Sequence, residues 1–270
     1  MVASTDYSFY LESFESQEPI LILQRDGAVN SKGKLQLTKV DEKGVGVRRS
    51  LGRALHKTPV HIWEKKHVAS FFTCFSFTIN AQDEKNTGDG LAFFLAPVDD
   101  QPKEEGSYLG IFQYNQDNHQ RYNVLAVEFN TFSDKGDIGD PDSLHISVNN
   151  GTTHSRDTEN WVFENNTEAV VYISYDSHKN TLKATLVYPN TNKHYTVSSE
   201  RLNLKDSVEE WVSVGFSAYA GAPETHDVNS WYFASSLGED TATLAKRLPV
   251  FNPDLAKHLN LHTGEQPITK

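Results

Sequence analysis

The sequence predicts an all-β domain, a sandwich or barrel of antiparallel strands. Three observations lead there. Short runs rich in β-branched and aromatic residues recur along most of the chain, and Gly, Asn and Asp cluster between them. Helical periodicity is not convincing before "TATLAKRL" at 241–248.

In chain order, "ILILQ" (20–24) and "KLQLT" (34–38) are the first short apolar runs. "FFTCFSFTI" (71–79) alternates: Phe71, Thr73, Phe75, Phe77 and Ile79 share one face, and Phe72, Cys74, Ser76 and Thr78 the other. "LAFFLAP" (91–97), "VLAVEF" (124–129) and "HISV" (145–148) follow. "AVVYISY" (169–175) and "TLKATLVY" (181–188) are separated by "DSHKN", a hairpin-like loop. "WVSVGFSAY" (211–219) is the next strand-like run. From about residue 238 the strand pattern stops, which divides the chain into a domain over 1–237 and a mostly solvated tail over 238–270 with short helical turns. The four tryptophans, Trp63, Trp161, Trp211 and Trp231, all fall in strand-like runs and are expected in the core.

Composition narrows the function. Hydrophobic residues at 37% and aromatics at 11% suffice for a packed core. The balance of 36 acidic against 25 basic residues, a net charge of −11, has the wrong sign for a nucleic-acid backbone or an anionic membrane surface. No apolar run approaches the roughly 20 residues of a membrane helix. The opening "MVASTDYSFY" lacks a signal-peptide pattern, so the chain is read either as cytosolic or as a mature protein with Met1 added. Cys74 is the only cysteine and is expected to be a small buried hydrophobe. Sequons at Asn150 ("NGT") and Asn165 ("NNT") are compatible with secretion.

One stretch stands apart. "AVEFNTFSDKGDIGDPDSLH" (126–145) gathers Glu128, Asp134, Asp137, Asp140, Asp142 and His145 at the end of an apolar strand. Side chains two apart on a strand share a face, so Glu128 and Asn130 point the same way. The Gly, Asp and Pro residues of "SDKGDIGDP" force turns that fold carboxylates back towards Glu128, and "HISV" is placed to pair beside the first strand. Carboxylates, carbonyls and an amide are hard-cation ligands, and an imidazole beside carboxylates suits manganese. A solvated acidic turn is the plainer reading of the same spacing.

This stretch resembles the metal-binding segment of the legume lectins. Further resemblances to that family follow in order: "SLGRALHKTPVHIW" (50–63), "TGDGLAFFLAP" (87–97), "GSYLGIF" (106–112) and "VGFSAYAGAPETHDVNSWYF" (214–233). The resemblance covers about residues 6–237 and implies a legume-lectin (concanavalin A-like) antiparallel β-sandwich of jelly-roll type. It implies a carbohydrate-binding, calcium- and manganese-dependent protein with a shallow sugar pocket. Glu128 and His145 would ligate manganese, Asp140 would bridge both ions, and Ser155 would act through water. The carbonyl of Phe132 and the side chain of Asp134 would serve calcium. Asp89, joined to Gly88 by a cis peptide, would accept hydrogen bonds from sugar hydroxyls. Phe132 would stack on the sugar, and Ser107 and the loop residues Tyr219 and Ala220 would line the pocket. Tyr219 is expected to be the exposed aromatic of that loop. The resemblance further implies glycans or glycoproteins as partners, a homodimer or homotetramer, and a secreted or vacuolar location.

The sequence departs from the family pattern at specific positions. Asn130 replaces the bridging Asp, and an amide cannot bridge two cations as a carboxylate does. Asp134 replaces an Asn, keeping an oxygen for calcium but losing the NH₂ donor to the sugar. Asp140 lies twelve residues after Glu128, one more than the pattern, so Asp137 competes as a ligand. Ser107 replaces a glycine, and "YAGAPET" (219–225) is a short loop. These changes predict retained calcium and poor manganese binding. They raise a second reading: a storage, defence or inhibitor protein that has weakened or lost both sugar and metal binding. Enzymatic readings are weak. His226 and Asp227 in "ETHDV" read as a loop entering a strand, and "GFSAY" lacks the second glycine of a nucleophile elbow. Glu128 and Asp140 beside a cation would be poor general acids.

Overall fold

The computed structural model describes residues 6–15, 20–113, 122–132, 144–151 and 156–248. Among them, the strands of the first half are β1 (Tyr7–Leu11), β2 (Leu21–Arg25), β3 (Ala28–Val29), β4 (Leu35–Gln36), β5 (Ser50–His56), β6 (Val60–His61), β7 (Trp63–Glu64), β8 (His67–Val68), β9 (Ser70–Ala81) and β10 (Asp89–Pro97). The second half supplies β11 (Leu125–Asn130), β12 (His145–Asn149), β13 (Arg156–Asn160), β14 (Ala169–Asp176), β15 (Thr181–Tyr188), β16 (Lys193–Ser199), β17 (Trp211–Ala220) and β18 (Glu224–Ser236). Two short helices follow the same order, α1 (Leu204–Ser207) and α2 (Thr241–Lys246).

Two eight-stranded antiparallel sheets form the sandwich. One runs β16-β15-β14-β9-β18-β4-β3 with β1 also on β18; the other runs β13-β12-β11-β10-β17-β5-β2 with β6 on β17. The alternation in 71–79 decides which side chains meet between them. Phe71, Phe75, Phe77 and Ile79 pack in the central core with Leu91, Phe93, Val127, Phe129, Phe216 and Trp231. Phe75 and Phe216 meet edge-on with ring centroids 4.9 Å apart.

The continuous apolar run 91–96 has a separate cause. β10 is buried on both faces: Ala92, Phe94 and Ala96 face a second cluster with Leu51, Leu109, Ile111, Phe112 and Tyr122. The segment carrying Leu109–Phe112 lies over the outer face of that sheet. Arg53, fully buried, tethers it: its guanidinium donates to Asp100 at 2.9 Å and to the Gly110 carbonyl at 3.2 Å, and sits 4.6 Å from the Phe94 ring centroid. Burial pulls the Arg53 pKa down while Asp100 opposes that shift.

The hairpin between β14 and β15 forms as expected, with Asp176 opposite Thr181 and its carboxylate accepting from the His178 amide at 2.9 Å. The short helical turn expected after residue 238 forms within 240–248, docked on the sheet rather than solvated. Asp240 caps α2, accepting from the Thr243 amide at 2.8 Å, and Leu244, Ala245 and Leu248 pack on Phe72, Tyr232 and Ala234. The outer half of the 71–79 alternation needs this cover, because Phe72 would otherwise be solvated. Residues 249–270 lie outside the described set. Trp211 also departs from expectation: it is 49% exposed and stacks on His61 with centroids 4.4 Å apart, because it begins β17 at the rim of the sheet. Cys74 lines the α2 cluster, and burial pushes its thiol up to about 12.

Arg53 is the buried charge that holds the 103–112 segment on its sheet. Arg53→Ala leaves Asp100 paired with Lys103 at 2.7 Å but removes the buried guanidinium from Phe94 and the Gly110 carbonyl, and is expected to lower the unfolding free energy by about 1–3 kcal/mol in urea titration.

Candidate functional site

β10 sets the geometry of the site end. Its register places Asp89 opposite Ala220 on β17 and Gly90 opposite Asn130 on β11. Three segments far apart in sequence therefore end side by side: 87–89, 130–132 and 220–224.

The Gly88–Asp89 peptide is cis, as the resemblance implied. Backbone bonds hold it on all sides. The Gly88 amide donates to Glu224 Oε2 at 3.0 Å, the Gly88 carbonyl accepts from the Ala222 amide at 3.0 Å, and the Asp89 carbonyl accepts from the Thr131 amide at 2.9 Å. The Thr87 hydroxyl donates to the Thr131 carbonyl. Gly88 has φ +131°, and a β-carbon there would lie 2.6 Å from Cβ of Phe132, so only glycine fits under that ring. Gly221 is constrained from the other side, since its β-carbon would lie 2.6 Å from Asp89 Oδ2. Phe132 itself is 47% exposed, and its β-carbon lies against Gly88.

Ser107 lies exposed in a 3-10 turn, Gly106–Tyr108. The Ser217 hydroxyl donates to the Leu109 carbonyl and ties that turn to β17. Ala220 is buried at the end of β17. Tyr219 corrects the sequence expectation: it is 7% exposed, inside β17 and packed in the second cluster, because alternation turns it inwards under the 108–112 segment. Burial raises its phenol pKa most, and the charges of Glu105 and Asp89 raise it further. Tyr219 therefore lies under the 108–112 segment and does not offer its ring to solvent. Glu105 was not singled out by sequence, since nothing in "KEEGS" marks one acid over the other.

The expected metal ligands divide. Asp134, Asp137, Asp140 and Ser155 lie outside the described residues, so those readings carry no geometry here. Glu128, Asn130 and His145 are brought together and buried, as β11 and β12 pair with Glu128 opposite Ser147. Their donor set, however, is already engaged by neutral groups. Asn130 Nδ2 donates to His145 Nε2 at 3.0 Å, the Ser147 hydroxyl donates to Glu128 Oε2 at 3.1 Å, and Asn149 Nδ2 approaches Glu128 Oε1 at 3.4 Å. Trp161 Nε1 closes the cluster on the Asn130 carbonyl at 3.1 Å. An imidazole nitrogen that accepts from an amide has no lone pair left for a cation. As packed, these residues do not fit a manganese-type ion, and among the described residues no group of three or more His, Cys, Asp and Glu is arranged to hold a metal. The carbonyl-bearing Phe132 is the described part of the expected calcium set.

The remaining candidates also find places. Asn165 pairs with Ala81 in both directions, accepting from its amide at 2.8 Å and donating to its carbonyl at 2.9 Å, while Asn150 is half-buried. His226, within the "ETHDV" stretch, is fully buried, with Nε2 3.0 Å from Glu224 Oε1, and reaches no solvent. Asn130→Asp places a second carboxylate beside Glu128 on one strand face. The variant is expected to lose about 1–3 kcal/mol without metal and to gain a manganese-dependent rise in Tm that the native chain lacks, read by thermal melts with and without Mn²⁺.

Comparison with known proteins agrees with this architecture. A family model described as the legume lectin domain matches residues 6–249. The chain is 46% identical over 235 residues to a lectin of Glycine max, covering 85% of this chain and 80% of that one. It is 44% identical over 239 residues to a lectin-related protein of Cladrastis kentukea, covering 85% and 79%. Among solved structures, a basic winged bean lectin with Tn-antigen superposes with a TM-score of 0.79 at 38% identity, covering 87% of this chain and 100% of that one. Arcelin-5, a lectin-like defence protein from Phaseolus vulgaris, gives a TM-score of 0.77 at 36% identity, covering 86% and 98%.

Proposed function

This chain belongs to the legume lectin family, and we propose that it is a carbohydrate-binding protein whose shallow site is centred on Asp89 and Phe132. The observation that carries the reading is a single juxtaposition: Asp89, with hydrogen bonds fixing the backbone on both sides of it, stands beside a half-exposed Phe132 ring. In this reading the Asp89 carboxylate accepts from sugar hydroxyls, and Phe132 covers the apolar face of the ring. Ser107 offers its backbone amide from the 3-10 turn, while Tyr219 and Ala220 form the floor. Calcium, if taken up, is held by the Phe132 carbonyl with Asp134 and Asp140. The winged bean relative bears Tn-antigen in its structure, which supports glycans or glycoproteins as partners. Relatives named as seed lectins support a secreted or vacuolar location, with Asn150 and Asn165 as glycosylation positions, and a homodimer or homotetramer is part of the same proposal. A binding role rather than an enzymatic one is also favoured by the burial of His226 and Glu128.

A second reading has its own support. The Asn130–His145 pair and the loss of an NH₂ donor at Asp134 favour a lectin-like storage, defence or inhibitor protein, of which arcelin-5 is a family example in its defensive role. A missing donor to a sugar hydroxyl costs roughly 1–3 kcal/mol, against about 4 kcal/mol for the whole of a millimolar interaction. Binding is therefore expected to be weak.

A glycan array probed with and without calcium and manganese separates the two. The carbohydrate reading expects binding to at least one glycan class, abolished by Asp89→Asn and reduced roughly tenfold by Phe132→Ala with the fold intact. A blank array, with millimolar monosaccharides also inert in solution, selects the second reading.

A further inference from the structure

Glu224 is fully buried, and so is its neighbour on the strand face, His226. A carboxylate sealed from water is costly unless its oxygens are fully engaged. Here every partner belongs to the site. Oε2 accepts the Gly88 amide at 3.0 Å; Oε1 accepts the Thr131 hydroxyl at 3.0 Å and lies 3.0 Å from His226 Nε2. His226 is fixed in turn, with Nδ1 3.1 Å from the Thr38 hydroxyl and its amide donating to that same oxygen at 3.2 Å. Gly46 completes the seal, because a β-carbon there would lie 2.3 Å from the Glu224 carbonyl oxygen, and only glycine lets that segment cross so closely.

The two residues that Glu224 grips flank the proposed sugar contacts. Gly88 precedes Asp89, and Thr131 precedes Phe132. The Asp89 carbonyl also accepts the Thr131 amide, so one buried carboxylate fixes both segments relative to each other. None of these contacts passes through the 133–143 segment that carries the expected cation ligands. We propose that Glu224, packed against His226, is the internal anchor of the site, holding Asp89 and Phe132 in their mutual geometry when divalent cations are removed. Glu224 and His226 are positioning residues, and the inference rests on the reading of Asp89 and Phe132 as the sugar contacts only for its functional meaning.

The test is site-resolved amide hydrogen exchange on the full chain, in EDTA and in calcium, with glycan binding read on the same samples. In the native chain the Gly88 amide is expected to exchange at the same rate, within about twofold, in both buffers. Glu224→Met keeps the side-chain length without an acceptor. It should accelerate Gly88 and Thr131 exchange roughly tenfold or more while leaving the amides of 71–79 unchanged, a local effect that general destabilisation does not produce. Should that variant fail to fold, Glu224→Gln is read the same way: one carbonyl oxygen and an NH₂ then face the Gly88 amide and the Thr131 hydroxyl, which the carboxylate meets with two acceptors, and a smaller acceleration at Gly88 is expected. The anchor is overturned if EDTA alone releases Gly88 in the native chain, or if neither variant accelerates it. A native chain that binds no sugar yet protects Gly88 in EDTA removes the carbohydrate reading and leaves the anchor standing. Sugar binding that disappears in EDTA together with Gly88 protection does the reverse.

Discussion

The register of β10 is the constraint on which the rest depends. This strand is paired along its length to β17, and over most of it to β11, and it is buried on both faces. A slip by one residue would send Phe93 and Phe94 to the wrong cores and carry Asp89 away from Ala220 and Asn130. The same alternation that packs Leu91, Phe93 and Leu95 against the opposite sheet thus delivers Asp89 to the rim. Packing and site are consequences of one register.

At that rim the molecule uses two different chemistries side by side. On the β11–β12 side, Glu128, Asn130 and His145 satisfy one another through neutral donors from Ser147 and Asn149. On the β10–β18 side, the buried Glu224 carboxylate accepts from the Gly88 amide and the Thr131 hydroxyl, next to Asp89 and Phe132. In the first arrangement neutral donors occupy the acceptors between Glu128 and His145. The second supports the 88–89 and 131–132 segments through protein groups alone. Together they hold the ends of β10, β11 and β18 side by side through protein groups alone.

Much of this was legible in the sequence where periodicity and local chemistry agree. The alternation in 71–79 assigned both faces, "DSHKN" marked its hairpin, and "HISV" was placed beside the acidic strand. The proximity of Glu128, Asn130 and His145 followed from strand geometry. What escaped was long-range. Tyr219 ends one strand-like run and opens the "YAGAPET" stretch, and only the 108–112 segment, distant in sequence, covers it. Trp211 is strand-bound but rim-exposed, which period alone cannot show. "ETHDV" looked like an unremarkable strand entry because Glu224 meets Gly88 and Thr131 only after β10, β11 and β18 have assembled. The helix at 241–246 was visible as a pattern, but not the aromatic face that holds it.

We infer that protein hydrogen bonds, not a manganese ion, organise the described half of the site. It is tested most directly by anomalous diffraction at the manganese edge from crystals soaked in manganese and calcium. The expected map has no manganese peak between Glu128 and His145, with Asn130 still on the imidazole and the Gly88 amide still on Glu224. A fully occupied manganese peak there, with Asn130 turned away from His145, would contradict it.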